Sequence, residues 1–236
     1  MKAVVLAGGK GRRLAPYTRI IPKPLMPIGE QPILEILLLQ MKRAGITDVT
    51  LTVGYLANLL KLFFQDGARL GLNIDYSYET TPLGTSGPLA NVSGLEDTFL
   101  VTNGDVLTTL NLSELIAFHR SEGAIATIAS HCRKVNIDLG VVKFDGGSRI
   151  IGYEEKPSVN YSVSMGMYVF EPRVLEYINK GEYLDFPDLV LKLIAAGEKV
   201  SGYLFDGYWE DLGRPDDYER ASEDFEKMHD QFLPED

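Results

Sequence analysis

Apolar and polar positions follow two different periods along the first half of the chain, and each change of period falls at a short polar or glycine-containing break. Four short segments are predicted to be strands: the apolar runs at residues 2–7 and 98–102, residues 48–53, and residues 72–78, in which apolar and polar positions alternate. Three longer segments with helical spacing accompany them: residues 32–44, 56–65 and 112–121. Ser113 is the expected cap of the third helix. Strand and helix in alternation, with short connections, predict a parallel sheet covered by helices.

The pattern changes after residue 123, where strand-like segments follow one another with turns between them. These segments are residues 124–131, 140–144, 150–154, 162–170 and 200–205. Helices are predicted at residues 173–178, 186–195 and 215–228. We therefore predict an α/β fold with a Rossmann-like, mixed but mainly parallel central sheet flanked by helices, and a small antiparallel extension. Because no repeat or linker interrupts residues 1–236, we predict a single domain with a frayed C-terminal tail.

The composition fits a folded domain and argues against several classes of protein. The chain has 236 residues, of which 45% are hydrophobic, enough for one sizeable core. No apolar run approaches the roughly 20 residues of a membrane span, and the short apolar start is unlike a signal peptide. The single cysteine, Cys132, excludes an internal disulfide and suits a cytoplasmic location. The histidines lack the spacing of zinc ligands; they are His119, His131 and His229.

The charge of the chain is unevenly distributed. The formal net charge of −10 argues against general binding to nucleic acid, and neither nucleic acid nor a membrane is an expected partner. Residues 1–43 nevertheless contain eight basic and two acidic residues, a local balance of +6, so the rest of the chain carries −16. Positive charge concentrated in one short segment indicates a small anionic ligand that is held locally.

The basic segment coincides with a glycine-rich loop after the first predicted strand, in the sequence LAGGKGRRLAPYT. Glycine lets backbone N–H groups approach phosphate oxygens closely, and fixed cations neutralise them, so the loop favours a polyphosphate over an ordinary basic surface. Leu14 excludes the dinucleotide fingerprint, which needs a small residue there, and Gly11 excludes a P-loop. Lys23 lies between two prolines that would hold it in place, although an exposed lysine also fits this pattern.

Carboxylates follow predicted strands at the edge where α/β sheets bind ligands. Asp105 ends the sequence TNGD, and Asp211 lies in the sequence WEDLG. Together they could clamp Mg²⁺ between substrate phosphates, whereas each alone is equally explained as a turn or cap residue. Glu155 and Lys156 close another strand, where they could contact hydroxyls and a phosphate or form a charged surface turn.

Six segments resemble the sugar-1-phosphate nucleotidyltransferase family in order and spacing: LAGGKGRRLAPYT, PKPLMPIG, LGTSGPL, TNGDV, EEKP and WEDLG. They are distributed over nearly the whole chain. The resemblance implies a glycosyltransferase-A-like fold, Mg²⁺ as cofactor, and the condensation of a nucleoside triphosphate with a sugar 1-phosphate to give a nucleotide sugar and pyrophosphate. It also implies a nucleotide-binding half (1–123), a sugar-phosphate-binding half (124–213) and a C-terminal helix and tail (214–236). Whether copies of the chain form a homo-oligomer is left open.

Matching the family pattern residue by residue implies specific roles. The implied nucleotide site consists of Leu6, Ala7, Gly8, Gly9, Gly11, Arg13, Lys23, Glu79, Gly84, Thr85 and Gly87. The implied catalytic residues are Arg13, Lys23 and Asp105, and the implied metal ligands are Asp105 and Asp211. The implied sugar-phosphate site consists of Gly140, Glu155, Lys156 and Gly166. The attacking phosphate oxygen would be ionised at neutral pH, so no general base is required.

Three features depart from the family pattern. Arg12 replaces the usual threonine before the loop arginine, which adds charge and removes a hydroxyl. Ser164 stands where the family commonly has an asparagine, which leaves open which sugar hydroxyls are recognised. Many relatives continue into a C-terminal left-handed β-helix or another domain, for which this chain is too short.

The resemblance also suggests substrates. LGTSGPL is most similar to the LGTAGPL of members that form GDP-mannose, so GTP and mannose 1-phosphate or a related sugar are preferred. UTP, dTTP or CTP with another sugar 1-phosphate remain open, as does a more distant choline-phosphate cytidylyltransferase. The alternative from a different class is a catalytically silent regulatory subunit that binds nucleotide sugars. Such subunits tend to lose the loop arginine, the lysine or the metal aspartates, which are all present here.

Overall fold

The structure, a computed structural model, describes residues 1–234, and the last two residues of the predicted tail lie outside this range. Its strands are β1 (Lys2–Leu6), β2 (Pro27–Ile28), β3 (Gln31–Pro32), β4 (Asp48–Val53), β5 (Asn73–Tyr78), β6 (Phe99–Asn103), β7 (Val106–Thr108), β8 (Ala126–Asn136), β9 (Val141–Phe144), β10 (Ile150–Glu154), β11 (Ser158–Phe170), β12 (Val200–Phe205) and β13 (Trp209–Asp211). Its α-helices are α1 (Ile33–Arg43), α2 (Ala57–Phe64), α3 (Leu112–Glu122), α4 (Phe186–Ala195), α5 (Pro215–Lys227) and α6 (His229–Phe232). Short 3₁₀ turns occupy Arg12–Leu14, Tyr17–Arg19, Lys23–Leu25, Ala68–Leu70, Gly87–Asn91 and Pro172–Tyr177.

The central sheet has seven strands within the described range, in the order β12-β8-β11-β6-β1-β4-β5. β1 pairs in parallel with β4 and β6, and β5 pairs in parallel with β4. β11 is antiparallel to both β6 and β8, and β12 is parallel to β8. The predicted α/β fold with a mixed, mainly parallel sheet is therefore confirmed, and the β9–β10 hairpin forms part of the antiparallel extension.

Helices cover both faces of the sheet, which explains the uninterrupted apolar run of β1. Val4 and Val5 are both fully buried, and as neighbours in a strand they point to opposite faces. Val5 belongs to a core that includes α1, α2 and α3, whereas Val4 packs with α4 and the Gly87–Asn91 turn. A strand that is buried on both sides has no reason to alternate apolar with polar residues.

A third apolar cluster attaches the C-terminal helices to the rest of the protein. Phe225 of α5 and Phe232 of α6 pack against the outer side of α1 and against Leu107 and Leu212. Leu212 directly follows β13, so this cluster also holds the end of that strand in place. No helix within residues 1–234 has both the length and the apolar character that crossing a bilayer requires.

Two local expectations need correction. The predicted cap of α3 was wrong, because the side-chain oxygen of Asn111 accepts hydrogen bonds from the backbone N–H groups of Ser113 (3.0 Å) and Glu114 (3.4 Å). Asn111 has an extended backbone, as an N-cap residue requires, whereas Ser113 already lies inside the helix. β8 and β11 also run further than predicted and continue as a two-stranded ribbon. We call this ribbon and the β9–β10 hairpin the arm, residues 132–162; most of its side chains are exposed.

Candidate active site

The glycine loop begins at the C-terminal end of β1, where the parallel strands terminate. The backbone N–H of Ala7 donates to the carbonyl oxygen of Thr52 (2.9 Å), which extends the pairing with β4 before the chain turns. Gly11 has a left-handed φ of 55°, and a Cβ there would lie 2.9 Å from Cγ2 of Thr18. Both the backbone conformation and the lack of space therefore require glycine at position 11.

Two contacts fix the far side of this loop. The hydroxyl of Thr18 donates to the carbonyl oxygen of Gly11 at 2.8 Å. Leu14 is only 2% exposed and anchors the Arg12–Leu14 turn in the interior, while the side chains of Arg12 and Arg13 stay exposed beside the cleft described next. Leu14, which excludes a dinucleotide fingerprint in the sequence, thus packs in the interior and anchors the cationic loop.

A cleft of about 540 Å³ opens at this edge of the sheet, a size typical of small-molecule sites. Its lining includes these predicted residues: Leu6, Ala7, Gly8, Gly9, Gly11, Arg13, Lys23, Glu79, Gly84, Thr85 and Asp105. It also includes residues that were not predicted as site residues: Arg12, Leu14, Pro24, Thr52, Pro82, Asn103, Tyr183, Asp185 and Gly213. The structure therefore brings almost the whole predicted nucleotide site together.

Lys23 is buried at this cleft between two carboxylates. Its side-chain nitrogen lies 2.5 Å from Oδ2 of Asp105 and 3.5 Å from Oδ1 of Asp211, and the residue is 8% exposed. Burial of an ammonium group is tolerated when carboxylates pair with it. Pro22 and Pro24 restrict the backbone on both sides of the lysine. The alternative of an exposed lysine in a proline-rich loop is thus excluded.

The two aspartates meet because of a strand pair that the sequence did not reveal. β13 pairs antiparallel with β7, and Asp211 lies opposite Val106, the residue after Asp105. Trp209 strengthens this arrangement, since its indole N–H donates to the carbonyl oxygen of Met165 at 3.1 Å. Asp211 is thereby held beside Asp105 by backbone pairing and by the contact of a half-buried tryptophan.

The donor set at this point suits a hard divalent cation. The ammonium group of Lys23 already lies between the two carboxylates, so positive charge fits there. Mg²⁺ that binds together with substrate phosphates usually needs only one or two protein carboxylates. Within residues 1–234, no group of three or more His, Cys, Asp or Glu side chains could hold a metal ion. A metal at Asp105 and Asp211 would therefore require further oxygen ligands, such as those of a phosphate.

The loop that contains Gly84, Thr85 and Gly87 of the predicted nucleotide site is joined by hydrogen bonds to the segment before α4. The backbone N–H and the hydroxyl of Thr85 donate to Oδ1 of Asp185 at 2.9 and 3.1 Å, and the hydroxyl accepts from the N–H of Phe186 at 2.8 Å. Tyr183 donates to Oδ2 of Asp185 at 2.7 Å, and this bond, with those from Thr85, lowers the pKa of Asp185. The Thr85 side chain therefore holds the loop in place. No local signal near Tyr183 and Asp185 marks them as site residues.

The glycines of the same loop allow this close approach. A Cβ on Gly84 would lie 2.5 Å from the carbonyl oxygen of Leu184, and one on Gly87 would lie 2.7 Å from that of Glu182. Gly84 lines the cleft, whereas Gly87 is buried in the adjacent 3₁₀ turn and does not belong to the lining. The structure thus shows Gly87 in a packing contact behind the cleft.

Glu79 follows β5 and directs its carboxylate toward the glycine loop. A Cβ on Gly8 would lie 3.0 Å from Oε1 of Glu79, so glycine leaves room for this carboxylate. Oε2 accepts a long hydrogen bond of 3.4 Å from the N–H of Leu83, the only hydrogen bond to this carboxylate within residues 1–234. Burial raises the pKa of Glu79, and the bond from Leu83 offsets this only in part. The carboxylate is therefore partly desolvated and can accept further hydrogen bonds.

The predicted sugar-phosphate residues are distributed differently. Gly166 has a left-handed φ of 73° and lies against the side chain of Asn103, which lines the cleft. Gly140, Glu155 and Lys156 lie on the arm, and none of them belongs to the cleft lining among the described residues. Glu155 accepts a hydrogen bond from the hydroxyl of Tyr153 at 3.2 Å. Most residues predicted for the nucleotide therefore lie together at the cleft, whereas three of the residues predicted for the sugar phosphate lie outside its lining.

Comparisons with known proteins agree with this geometry. A mannose-1-phosphate guanylyltransferase from Mycobacterium tuberculosis is 40% identical over 229 residues, which cover 94% of this chain and 64% of that protein. A UTP–glucose-1-phosphate uridylyltransferase from Synechocystis is 36% identical over 241 residues, which cover 94% of this chain and 62% of that protein. The chain thus spans slightly less than two thirds of the length of these curated relatives.

A solved structure has the same fold. It comes from a Bacillus anthracis protein assigned as a glucose-1-phosphate thymidylyltransferase, with a TM-score of 0.76, 23% identity and coverage of 98% of both chains. The model of the nucleotidyl transferase family matches residues 2–228, a range that includes the glycine loop, Lys23 and both aspartates. The chain therefore belongs to the nucleotidyl transferase family.

Proposed function

We propose that this protein transfers a nucleotidyl group from a nucleoside triphosphate to a sugar 1-phosphate, which gives a nucleotide sugar and pyrophosphate. The observation that carries the proposal is the placement of Lys23 between Asp105 and Asp211, beside a cationic glycine loop. Backbone N–H groups, guanidinium groups and an ammonium group converge there on a cleft of nucleotide size. Family membership supports the same reaction class.

In this reaction a phosphate oxygen of the sugar 1-phosphate attacks the α-phosphorus, and the bond between the α-phosphorus and the bridging oxygen breaks. The electron pair leaves with pyrophosphate, and no proton has to be removed from the nucleophile. The barrier is the repulsion between two anions, so catalysis requires alignment and charge neutralisation. We assign this neutralisation to Arg13 and Lys23, with Arg12 as an additional cation at the cleft.

Asp105 and Asp211 are proposed to hold Mg²⁺, because they provide hard oxygen donors on both sides of a point that already accommodates positive charge. The metal ion would supply electrostatic stabilisation to the reacting phosphates. With the carboxylates bound to a metal ion, Lys23 would no longer be their ion-pair partner, and its ammonium group could contact the triphosphate.

We further propose GTP as the preferred nucleotide, on the basis of Glu79. Guanine offers two adjacent donors, N1–H and the N2 amino group, which a carboxylate accepts as a pair. Uracil and thymine place a single N–H between two carbonyl oxygens, which would face the carboxylate unfavourably. Adenine and cytosine pair one amino donor with a ring-nitrogen acceptor. Guanine would thus offer two donors to this partly desolvated carboxylate, whereas each of the other bases offers only one.

Mannose 1-phosphate is the proposed acceptor, supported by the LGTSGPL segment and by the name of the relative from Mycobacterium tuberculosis. The name of the relative from Synechocystis supports UTP and glucose 1-phosphate as the alternative. We assign the sugar phosphate to the 124–213 half, through Gly140, Glu155, Lys156 and Gly166. Lys156 fits this role because it makes no hydrogen bond or ion pair within residues 1–234 and has a strained φ of 46°.

A substrate panel tests the proposal. The protein is incubated with Mg²⁺, one of GTP, UTP, dTTP or CTP, and one of several sugar 1-phosphates, and the release of pyrophosphate is measured. We expect release with GTP and mannose 1-phosphate to exceed that with the other pairs. Release with a different pair would correct the substrates and leave the reaction class intact. Nucleotide-sugar binding without pyrophosphate release from any pair would favour the silent regulatory subunit and refute the proposed reaction.

A further inference from the structure

Arg13 has no ion-pair partner within residues 1–234, in contrast to several arginines elsewhere in the protein. Arg69, Arg173 and Arg220 each form a charge-paired hydrogen bond with a glutamate. Arg13 makes no hydrogen bond or ion pair with any of residues 1–234, although it lines the cleft. An arginine that must bind phosphate gains from this, because a neighbouring carboxylate would compete for its donors. Within residues 1–234, the position of the Arg13 guanidinium therefore depends on packing contacts and not on a salt bridge.

The guanidinium of Arg13 lies against Gly213. A Cβ on Gly213 would lie 3.0 Å from Nη1 of Arg13 and 3.1 Å from both Cζ and Nη2. Nearly equal distances to these three atoms mean that the guanidinium presents its flat face to the glycine. Stacking on the face leaves the N–H groups at the edge of the plane free for a ligand.

Gly213 itself is held firmly. Its N–H donates to the carbonyl oxygen of Asp211 at 2.5 Å, which forms a tight turn, and Leu212 between them is 1% exposed. Asp211 is fixed in turn by the pairing of β13 with β7. The segment that supplies a carboxylate to the site thus also supplies the surface on which Arg13 rests.

We propose that Gly213 is a positioning residue that acts through Arg13. The missing side chain lets the guanidinium lie against the Asp211–Gly213 turn with its donors directed to the triphosphate. The identity of the ligand in this inference rests on the proposed function, whereas Gly213 itself has no part in that proposal. Gly213 does not adopt the left-handed conformation, so alanine fits its backbone, and the atoms that would yield are the mobile end of an arginine. Substitution should therefore disturb ligand binding more than folding.

The test compares Gly213→Ala, Arg13→Ala and the double variant. Gly202→Ala is the matched control, since Gly202 lies in β12 with no atom within 4 Å of a Cβ at that position. The readouts are the melting temperature, KM and kcat for GTP in pyrophosphate release, and Kd for GTP with Mg²⁺ by calorimetry. We expect KM and Kd for GTP to rise at least about tenfold in Gly213→Ala, the scale of a displaced positioning contact. Gly202→Ala should match the wild type.

The double variant separates positioning from a structural role. If Gly213 acts through Arg13, adding Gly213→Ala to Arg13→Ala should change Kd by less than about twofold, because coupled residues are non-additive. A full tenfold effect in the Arg13→Ala background would overturn the inference. So would a wild-type Kd in Gly213→Ala, or a melting temperature lowered by more than about 5 °C, which for a domain of this size signals a fold defect.

The two proposals fail in different ways. Normal pyrophosphate release and normal KM in Gly213→Ala would refute the role of Gly213 and leave the reaction intact. Absence of pyrophosphate release from any nucleotide, together with Kd values for GTP that depend on Arg13 and Gly213, would refute the reaction and leave the positioning role intact.

Discussion

Replacement of Asp105 by asparagine tests the electrostatic assignment, since it removes one negative charge and keeps the shape of the side chain. Asp105 accepts a 2.5 Å hydrogen bond from Lys23 and has 25% of its side chain exposed. Asparagine retains an oxygen that can accept this bond, and Asp211 remains 3.5 Å from the ammonium group. We therefore expect the fold to persist, with a loss of about 1–3 kcal/mol in the free energy of unfolding.

Turnover should respond far more strongly than stability. Loss of one preorganised electrostatic group costs at least about a hundredfold in turnover, or about 2.7 kcal/mol of transition-state stabilisation. Because only one of two anionic metal ligands would remain, the Mg²⁺ concentration for half-maximal activity should also rise. A structural defect alone would lower the amount of active protein without shifting the Mg²⁺ dependence.

The assay measures pyrophosphate release from GTP and mannose 1-phosphate across a Mg²⁺ titration, with circular dichroism and thermal melting as checks of folding. Asp97→Asn is the matched control, because Asp97 is exposed and lies before β6, away from the strand end that bears Asp105. Near-normal turnover in a folded Asp105→Asn variant would refute the metal assignment. Equal losses in both variants would mean that the effect is not specific to the site.

Three further predictions concern base recognition and stability. Glu79→Gln should lower the ratio of kcat/KM for GTP to that for UTP at least about tenfold. The ratio is measured with both nucleotides in competition, and Glu96→Gln serves as the control. An unchanged ratio would show that Glu79 does not recognise the base. Burial lowers the pKa of His119, so the unfolded chain binds a proton at higher pH than the folded one. The free energy of unfolding, measured by urea titration, should therefore fall as the pH drops below about 6.5, and it should fall less steeply in His119→Gln. The same pH dependence in both proteins would contradict this role of His119. Replacement of Phe225, which is 4% exposed, by alanine should lower the free energy of unfolding, measured in urea, by about 3–5 kcal/mol. An unchanged urea midpoint would contradict a stabilising role of the third apolar cluster.

Much of the fold was predictable because local patterns carried it. β1 is an almost uninterrupted apolar run, β4 and β6 consist mainly of residues that favour strands, and α1 and α4 show clear helical spacing. The ribbon was harder to predict, at the C-terminal end of β8 and the N-terminal end of β11. β8 and β11 extend beyond the core as exposed strands, so no buried face imposes a pattern on their ends. The cap of α3 was misassigned by two residues, since asparagine and serine are both good cap residues and only geometry separates them.

The candidate site was predictable to the extent that its residues lie in recognisable segments. Motifs in the sequence indicate the glycine loop, Lys23, Asp105 and Asp211; in the structure the first three line one cleft, and Asp211 lies 3.5 Å from the Lys23 nitrogen. Tyr183 and Asp185 were not selected, although they fix the loop that contains Thr85. A tyrosine and an aspartate in a polar turn carry no local mark of function, because their role comes from a partner about 100 residues earlier in the chain.

The sequence by itself determined the alternation of elements, the cationic glycine loop and the set of charged groups available for chemistry. These features depend on near neighbours along the chain, where propensity, periodicity and glycine placement act. Only the tertiary structure decided that β13 pairs with β7, that Lys23 lies between two carboxylates, and that Arg13 stacks on Gly213. Such contacts join residues distant in sequence and depend on packing of the whole domain, which no local pattern encodes.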